Sequence, residues 1–63
     1  MPPPFHYEIH FHRADGTLAV LLRVRAADDA DARRQARDML RAGLSTAHIW
    51  RGGTMMGSEY AGD

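Results

Sequence analysis

Four histidines are the residues of this chain whose chemistry is simplest to name. His6, His10 and His12 alternate with apolar residues in the run FHYEIHFH, and His48 lies in a later alternating run. Side chains two apart on a strand point to one side, roughly 7 Å from each other. His10, His12 and His48 could therefore form a three-imidazole site. Glu8 would be its fourth ligand, and such donors suit zinc or another divalent metal.

Two other interpretations of the histidines need no metal. The imidazoles could be polar side chains on a solvated sheet face. Alternatively, because histidine titrates near pH 6.5, four of them could make an interface between proteins sensitive to acid.

A β-hairpin has to position these side chains. Apolar-alternating runs flank Asp15-Gly16, which is a strong hairpin signal and predicts a two-residue turn with positive φ at both positions. Such a turn pairs the apolar residues on one face, namely Phe11 with Val20, Ile9 with Leu22 and Tyr7 with Val24. The other face receives His6 with Arg25, Glu8 with Arg23, His10 with Leu21 and His12 with Ala19.

The pattern after Arg25 changes from a period of two to that of a helix. Asp28 is the expected N-cap of the run DADARRQARDMLRAG, and Gly43 is the expected left-handed stop. An apolar stripe should lie on the sheet, formed by Ala32, Ala36, Met39 and Leu40. The opposite side carries arginines and aspartates, with Asp29–Arg33 and Asp38–Arg41 as expected ion pairs.

Residues 44–51 (LSTAHIWR) predict a third strand with Leu44, Ala47 and Ile49 toward the core. A right-handed connection through the helix places this strand beside the first, in the order 2-1-3. Residues 52–63 form either a glycine-rich tail or a short fourth strand. In the second case a Gly52-Gly53 turn sets Trp50 opposite Met55 and Ile49 opposite Met56.

The sequence thus predicts an α+β fold of type ββαβ(β). A three- or four-stranded, mostly antiparallel sheet would carry one helix on one face. Residues 1–63 should form a single small domain, with a proline-rich lead-in over residues 1–4 and no linker.

The composition of the chain argues against several classes of protein. The chain has no cysteine, which excludes disulfides and thiolate metal sites, and no apolar run near the roughly 20 residues of a membrane span. The start MPPPFHYE lacks the basic and apolar regions of a signal peptide. We therefore expect a cytoplasmic protein that does not contact membranes.

A contact surface is the main functional expectation. One helix covers only one side of such a sheet, so the other side stays open unless the tail folds back over Trp50. The residues expected there are Trp50, Leu21, His10, His48, Arg23 and Arg25. Tryptophan, leucine and arginine on an open face favour a homodimer or another protein partner. Strand two, an edge of the sheet, offers a second route to pairing.

An arginine ridge on the helix supports a different function. Arg33, Arg37 and Arg41 lie four residues apart, as in a phosphate-contacting ridge. Zero net charge, from eight arginines and eight acidic residues, argues instead for a solvated helix face.

The order hairpin, helix, strand and the run VRAADDADARRQARDML resemble small bacterial modules such as the HicB-type antitoxin domain, which pairs with a compact ribonuclease. The chain lacks the Pro-Gly loop and the Thr-x-Gly segment of those domains. The resemblance implies an antitoxin-like or nucleic-acid-binding regulator and carries over no residues.

Catalytic motifs are not evident. The hydroxyls of Ser45, Thr46, Thr54 and Ser58 lie in no nucleophile elbow, and Gly52-Gly53 is not followed by the Gly-Lys-Ser/Thr end of a phosphate loop. We expect a non-enzymatic interaction module without a cofactor.

Overall fold

The computed structural model describes residues 5–41 and 43–61. Within them the elements are β1 (Phe5–His12), β2 (Leu18–Ala26), α1 (Asp29–Met39), β3 (Thr46–Arg51) and β4 (Thr54–Tyr60). The strands form one antiparallel sheet in the order β2-β1-β3-β4. The α+β class is confirmed, and a fourth strand extends the predicted order 2-1-3. The predicted lead-in over residues 1–4 lies outside the described residues.

The turn between β1 and β2 has a three-residue loop. The Arg13 N–H donates to the Thr17 carbonyl, and the Gly16 N–H donates to the Arg13 carbonyl. Gly16 has a φ of 89°, whereas Asp15 does not have a positive φ. The Asp15 carboxylate accepts hydrogen bonds from the Thr17 N–H and hydroxyl, which stabilises a wider turn with a left-handed glycine at its end. The prediction of a two-residue turn was therefore wrong.

The register along most of the hairpin is the predicted one. Phe11 pairs with Val20, Ile9 with Leu22 and Tyr7 with Val24. The wider turn is followed by a β-bulge, where the register shifts between Phe11 and His12. His12 consequently pairs with Leu18 and not with Ala19, because one extra residue of β2 lies between the two pairs.

A second bulge changes the pairing of β3 with β4. Trp50 pairs with Met55 as predicted, but Ile49 pairs with Gly57 instead of Met56. The register shift lies between Ile49 and Trp50. The extra residue, Met56, packs against the hydrophobic core as a partly buried side chain.

Helix α1 begins and ends with identifiable caps. The Asp28 carboxylate accepts a hydrogen bond from the Asp31 N–H, which confirms the predicted N-cap. The helix ends at Met39, earlier than predicted, because Leu40 is extended and its N–H returns to the Arg37 carbonyl. No helix in the described ranges is long and apolar enough to cross a membrane.

The core lies between α1 and the central strands. Ala32 and Ala36 are fully buried, and such small side chains let a helix approach a sheet closely. Beneath them lie the buried residues Tyr7, Ile9, Phe11, Ala26, Ala47 and Ile49. Val20 and Leu22 face the same side but are 40% and 39% exposed. The expected cover of this face by the helix is therefore incomplete, because α1 leaves this part of the edge strand β2 exposed.

Polar contacts anchor the start of the helix to the sheet. The Tyr7 hydroxyl donates to the Asp29 carboxylate at 2.6 Å, and the Arg51 guanidinium lies 3.6 Å from the same carboxylate. Burial, followed by the hydrogen bond to Asp29, raises the pKa of Tyr7. The Arg51 guanidinium also lies 4.1 Å from the centre of the Phe5 ring. Asp29 therefore pairs with Arg51 rather than with the predicted Arg33.

Candidate contact surface

The sheet face opposite α1 carries the residues that were predicted for a contact surface. In β1 the side chains alternate, so Glu8 and His10 point away from the buried Ile9. Their partners on β3 are Trp50 and His48, which therefore lie on the same side. The full set on this open face comprises His6, Glu8, His10, His12, Leu18, Leu21, Arg23, Arg25, Thr46, His48, Trp50, Met55, Ser58 and Tyr60.

The histidines on this face contact one another and their neighbours in pairs. His10 stacks on Trp50 with ring centres 5.6 Å apart and an angle of 27° between the planes. His12 meets His48 edge-on at 5.2 Å. The His48 Nδ1 lies 2.8 Å from the Ser58 hydroxyl oxygen, within hydrogen-bond distance. The sheet thus brings together three of the predicted imidazoles, His10, His12 and His48.

Two of these imidazoles lie near oxygen atoms of neighbouring residues. The His12 Nδ1 lies 3.1 Å from the Gly16 carbonyl oxygen, and the His10 Nε2 lies 3.5 Å from a Glu8 carboxylate oxygen. A metal ion needs several ligand nitrogens directed at one point. Among the described residues, no group of three or more histidine, cysteine, aspartate or glutamate side chains is placed to hold one.

The charge state of His48 is shifted by its surroundings. Burial is the main cause that lowers its pKa, and the nearby imidazoles of His12 and His10 lower it further. His48 is therefore neutral over more of the mildly acidic range than an exposed histidine.

The contact between His48 and Ser58 was not predicted, because the predicted register sets Gly57 opposite His48, whereas the β-bulge shifts β4 by one residue and sets Ser58 there. A hydroxyl beside an imidazole resembles a nucleophile beside its base, but such a pair also needs a third group that orients the base. Within the described ranges, the side-chain hydrogen bond of His48 is the one to Ser58, and it joins β3 to β4.

Apolar side chains surround the histidines. Leu18, Leu21, Met55 and Tyr60 are 52%, 47%, 49% and 67% exposed. Trp50 is half-buried, and its buried Nε1–H has no hydrogen-bond partner among the described residues. An open depression of about 580 Å³ lies beside this indole, and its lining includes His6, His10, Arg23 and the Gly52-Gly53 turn.

The predicted arginine ridge is largely occupied by a carboxylate from β4. The Arg33 Nε donates to Glu59 at 2.7 Å, and the Arg37 Nε donates to the other oxygen of the same carboxylate at 3.1 Å. The hydrogen bond from Arg33 is the main cause that holds the pKa of Glu59 below its usual value. Of the three ridge residues, Arg41 lies exposed outside this arrangement. The role of Glu59 was not predicted, because the predicted register places it opposite Thr46 on the open face, whereas the β-bulge at Met56 sets it opposite Ala47 on the helix side.

The other predicted helix pair is also replaced. Asp38 lies 3.7 Å from Arg34, one turn before it, and not beside Arg41. Arg34 contacts Asp31 as well, so one arginine links two turns of the exposed helix side.

The fold and surface define a small α+β protein with a four-stranded antiparallel sheet, one helix and one uncovered face. Comparison with protein-family models, with curated proteins and with solved structures yields no match to this chain.

Proposed function

We propose that this protein is a non-enzymatic interaction module that self-associates through its open sheet face. The supporting observation is the set of exposed apolar side chains around Trp50, on a face that α1 does not cover. Aromatic and aliphatic side chains of this kind concentrate at the centres of protein interfaces. Burial of such side chains against a second molecule would remove them from water.

The polar groups of this face are arranged as at the edge of an interface. Arg23 and Glu8 lie 3.4 Å apart and form an ion pair that remains largely exposed. The rings of His10 and Trp50 stack on each other and together form a flat aromatic surface. A partner would therefore meet an ordered aromatic centre with charged groups beside it.

The test is the effect of two substitutions on the mass of the particle in solution. Trp50→Ala removes the aromatic centre, and Leu21→Arg places a charge at an exposed apolar position. Both should reduce self-association at least about tenfold, the range expected for residues that dominate an interface. Ala30→Arg, at an exposed position on the helix, is the matched control and should leave association unchanged.

Sedimentation equilibrium measures the association, and circular dichroism checks that each variant is folded. Equal association of the wild type and of both folded open-face variants would refute the proposal.

A further inference from the structure

Strand β2 is an edge of the sheet with little protection. Leu18, Val20, Leu21 and Leu22 are four of the six large hydrophobic side chains that are exposed in the described part of the chain. At the other edge, the Arg33 side chain lies 3.3 Å from the point where a Cβ on Gly57 would be. Helix side chains thus cover part of β4 and the end of β2 at Val24 and Ala26, whereas the first half of β2 stays largely exposed. Long apolar edges of this kind are sites of strand pairing.

The free backbone groups of β2 can be assigned from one hydrogen bond. The Gln35 side-chain amide donates to the Arg25 carbonyl at 2.9 Å, so the backbone of Arg25 points away from β1. Residues of an antiparallel strand alternate between pointing toward one neighbour and away from it. The N–H and carbonyl groups of Arg23 and Leu21 therefore also point outward from the sheet.

Both ends of this edge are closed. Gln35 occupies the Arg25 carbonyl, and at the other end the Arg13 guanidinium donates to the Leu18 carbonyl at 3.4 Å. The bulge that displaces Ala19 disturbs the strand just before Val20. The segment that remains available for pairing is residues 20–24, and its central residue is Leu22.

We propose that a second copy of this chain pairs antiparallel with β2, with Leu22 on the two-fold axis. In this register Leu21 of one copy exchanges backbone hydrogen bonds with Arg23 of the other, and the reverse pair does the same. On the helix side, Val20 of one copy faces Val24 of the other, and the two Leu22 side chains face each other. Every cross-strand contact on that side is aliphatic.

The charges near the axis are compatible with a second copy. The two Arg23 side chains approach each other diagonally on the open face, but each lies 3.4 Å from its own Glu8 carboxylate. The helix-side positions of the segment, Val20, Leu22 and Val24, carry no charge. A strand with such a surface is complementary to itself, as a symmetric homodimer requires.

The resulting dimer has a defined shape. An antiparallel pairing in one sheet requires a two-fold axis perpendicular to the sheet, so both helices lie on one side and both open faces on the other. The inference rests on the proposed function in that the protein self-associates. Pairing through β2 would join the two sheets into one of eight strands and the two open faces into one surface. A standard interface takes roughly 800 Å² per partner, and a five-residue edge supplies less, so this pairing alone should be weak.

Proline scanning of the edge tests the inference. Arg23→Pro removes an N–H that points away from β1, a change that edge strands tolerate, and it should abolish the pairing of two copies through β2. Ala30→Arg, at an exposed position on the helix, is the control and should dimerise like the wild type. Arg23→Ala shortens the same side chain but retains the N–H, so it should weaken dimerisation less than Arg23→Pro does. Sedimentation equilibrium at concentrations up to about 1 mM covers the weak range expected for a small interface.

A second variant addresses the outcome in which Arg23→Pro fails to fold. Leu22→Arg places two charges on the axis and should weaken dimerisation at least about tenfold, whereas Leu22 is exposed enough for the monomer to remain folded. Equal association of folded Leu22→Arg and wild type would overturn the inference. A wild-type protein that stays monomeric over the whole concentration range would also overturn the inference. The free edge of β2 could then pair only with a strand of a different protein.

Amide NMR over the same concentration series separates this inference from the proposed function. Shifts at the Leu21 and Arg23 amides without a shift at the Trp50 indole support edge pairing and count against the open face. Shifts at the Trp50 indole without changes at those amides do the reverse. Trp50→Ala should weaken association through the open face but leave the pairing through β2 intact, because Trp50 lies on β3 and not on β2.

Discussion

Glu59→Gln tests the contact that joins α1 to β4. The Glu59 side chain is only 12% exposed and accepts hydrogen bonds from Arg33 and Arg37 through its two oxygens. Glutamine keeps the shape of the side chain but removes its charge. One of its two terminal groups is an amide nitrogen, which cannot accept from an arginine. The substitution therefore removes the charge and at least one hydrogen bond without creating a cavity.

The expected loss of stability follows from the exposure of the partners. A hydrogen bond to a charged group contributes about 1.5–3 kcal/mol when it is well shielded. The Arg33 and Arg37 side chains are 47% and 62% exposed, so solvent screening reduces this contribution. We expect Glu59→Gln to lower the free energy of unfolding by about 1 kcal/mol, which lowers the melting temperature of a domain this small by about 4–8 °C.

The effect should depend on pH in a defined direction. The hydrogen bond from Arg33 holds the pKa of Glu59 below its ordinary value of 4.5, so the folded state favours the carboxylate. This stabilisation is present above pH 4.5 and is lost as the pH falls through the lower pKa of the folded protein. Thermal unfolding followed by circular dichroism should therefore separate wild type from Glu59→Gln at pH 7 and bring them together in strong acid.

Glu8→Gln is the matched control on the open face. Its partner Arg23 is 79% exposed and lies 3.4 Å away, so this substitution should change stability by less than about 0.5 kcal/mol. Equal losses for the two variants at pH 7, or a loss for Glu59→Gln that persists unchanged in strong acid, would contradict the reasoning.

Two further predictions concern the helix cap and the partly buried His48. Asp28→Ala removes the acceptor for the Asp31 N–H and should cost about 1 kcal/mol in urea unfolding, whereas Asp28→Asn should retain most of it; equal losses would contradict a capping role. Because burial lowers the pKa of His48 below 6.5, its contribution to stability is present above that pH and is lost as the pH falls through the lower folded pKa. His48→Gln should make unfolding stability less dependent on pH below 6.5, and an unchanged pH profile would count against this origin. Sedimentation over the same pH range tests whether protonation of the face also weakens association.

Much of the fold could be predicted because it depends on local patterns. Side chains of a strand alternate wherever the strand lies, so the opposite orientations of Ile9 and His10 follow from β1 alone. The Asp28 cap likewise depends on residues within one helical turn. These local properties were sufficient to predict which side of the sheet carries Trp50 and the histidines, and this assignment is confirmed.

Contacts between elements that are distant in the sequence were harder to predict. Asp29 has several arginines within reach in sequence, yet it pairs with Arg51, because the start of α1 lies above the end of β3. The two β-bulges could not be predicted from the alternation of apolar and polar residues, because one extra residue such as Met56 changes that pattern too little to be recognised.

The sequence by itself determined the alternation of the strands, the place of the first turn and the cap of the helix, because each depends on neighbouring residues. Only the tertiary structure decided that Glu59 joins Arg33 to Arg37 and that Val20 and Leu22 stay exposed. Both outcomes have one physical cause. A single helix cannot cover four strands. Helix α1 contacts β4 through Arg33 and Arg37 and covers the end of β2 at Ala26, but it leaves the first half of β2 open to water.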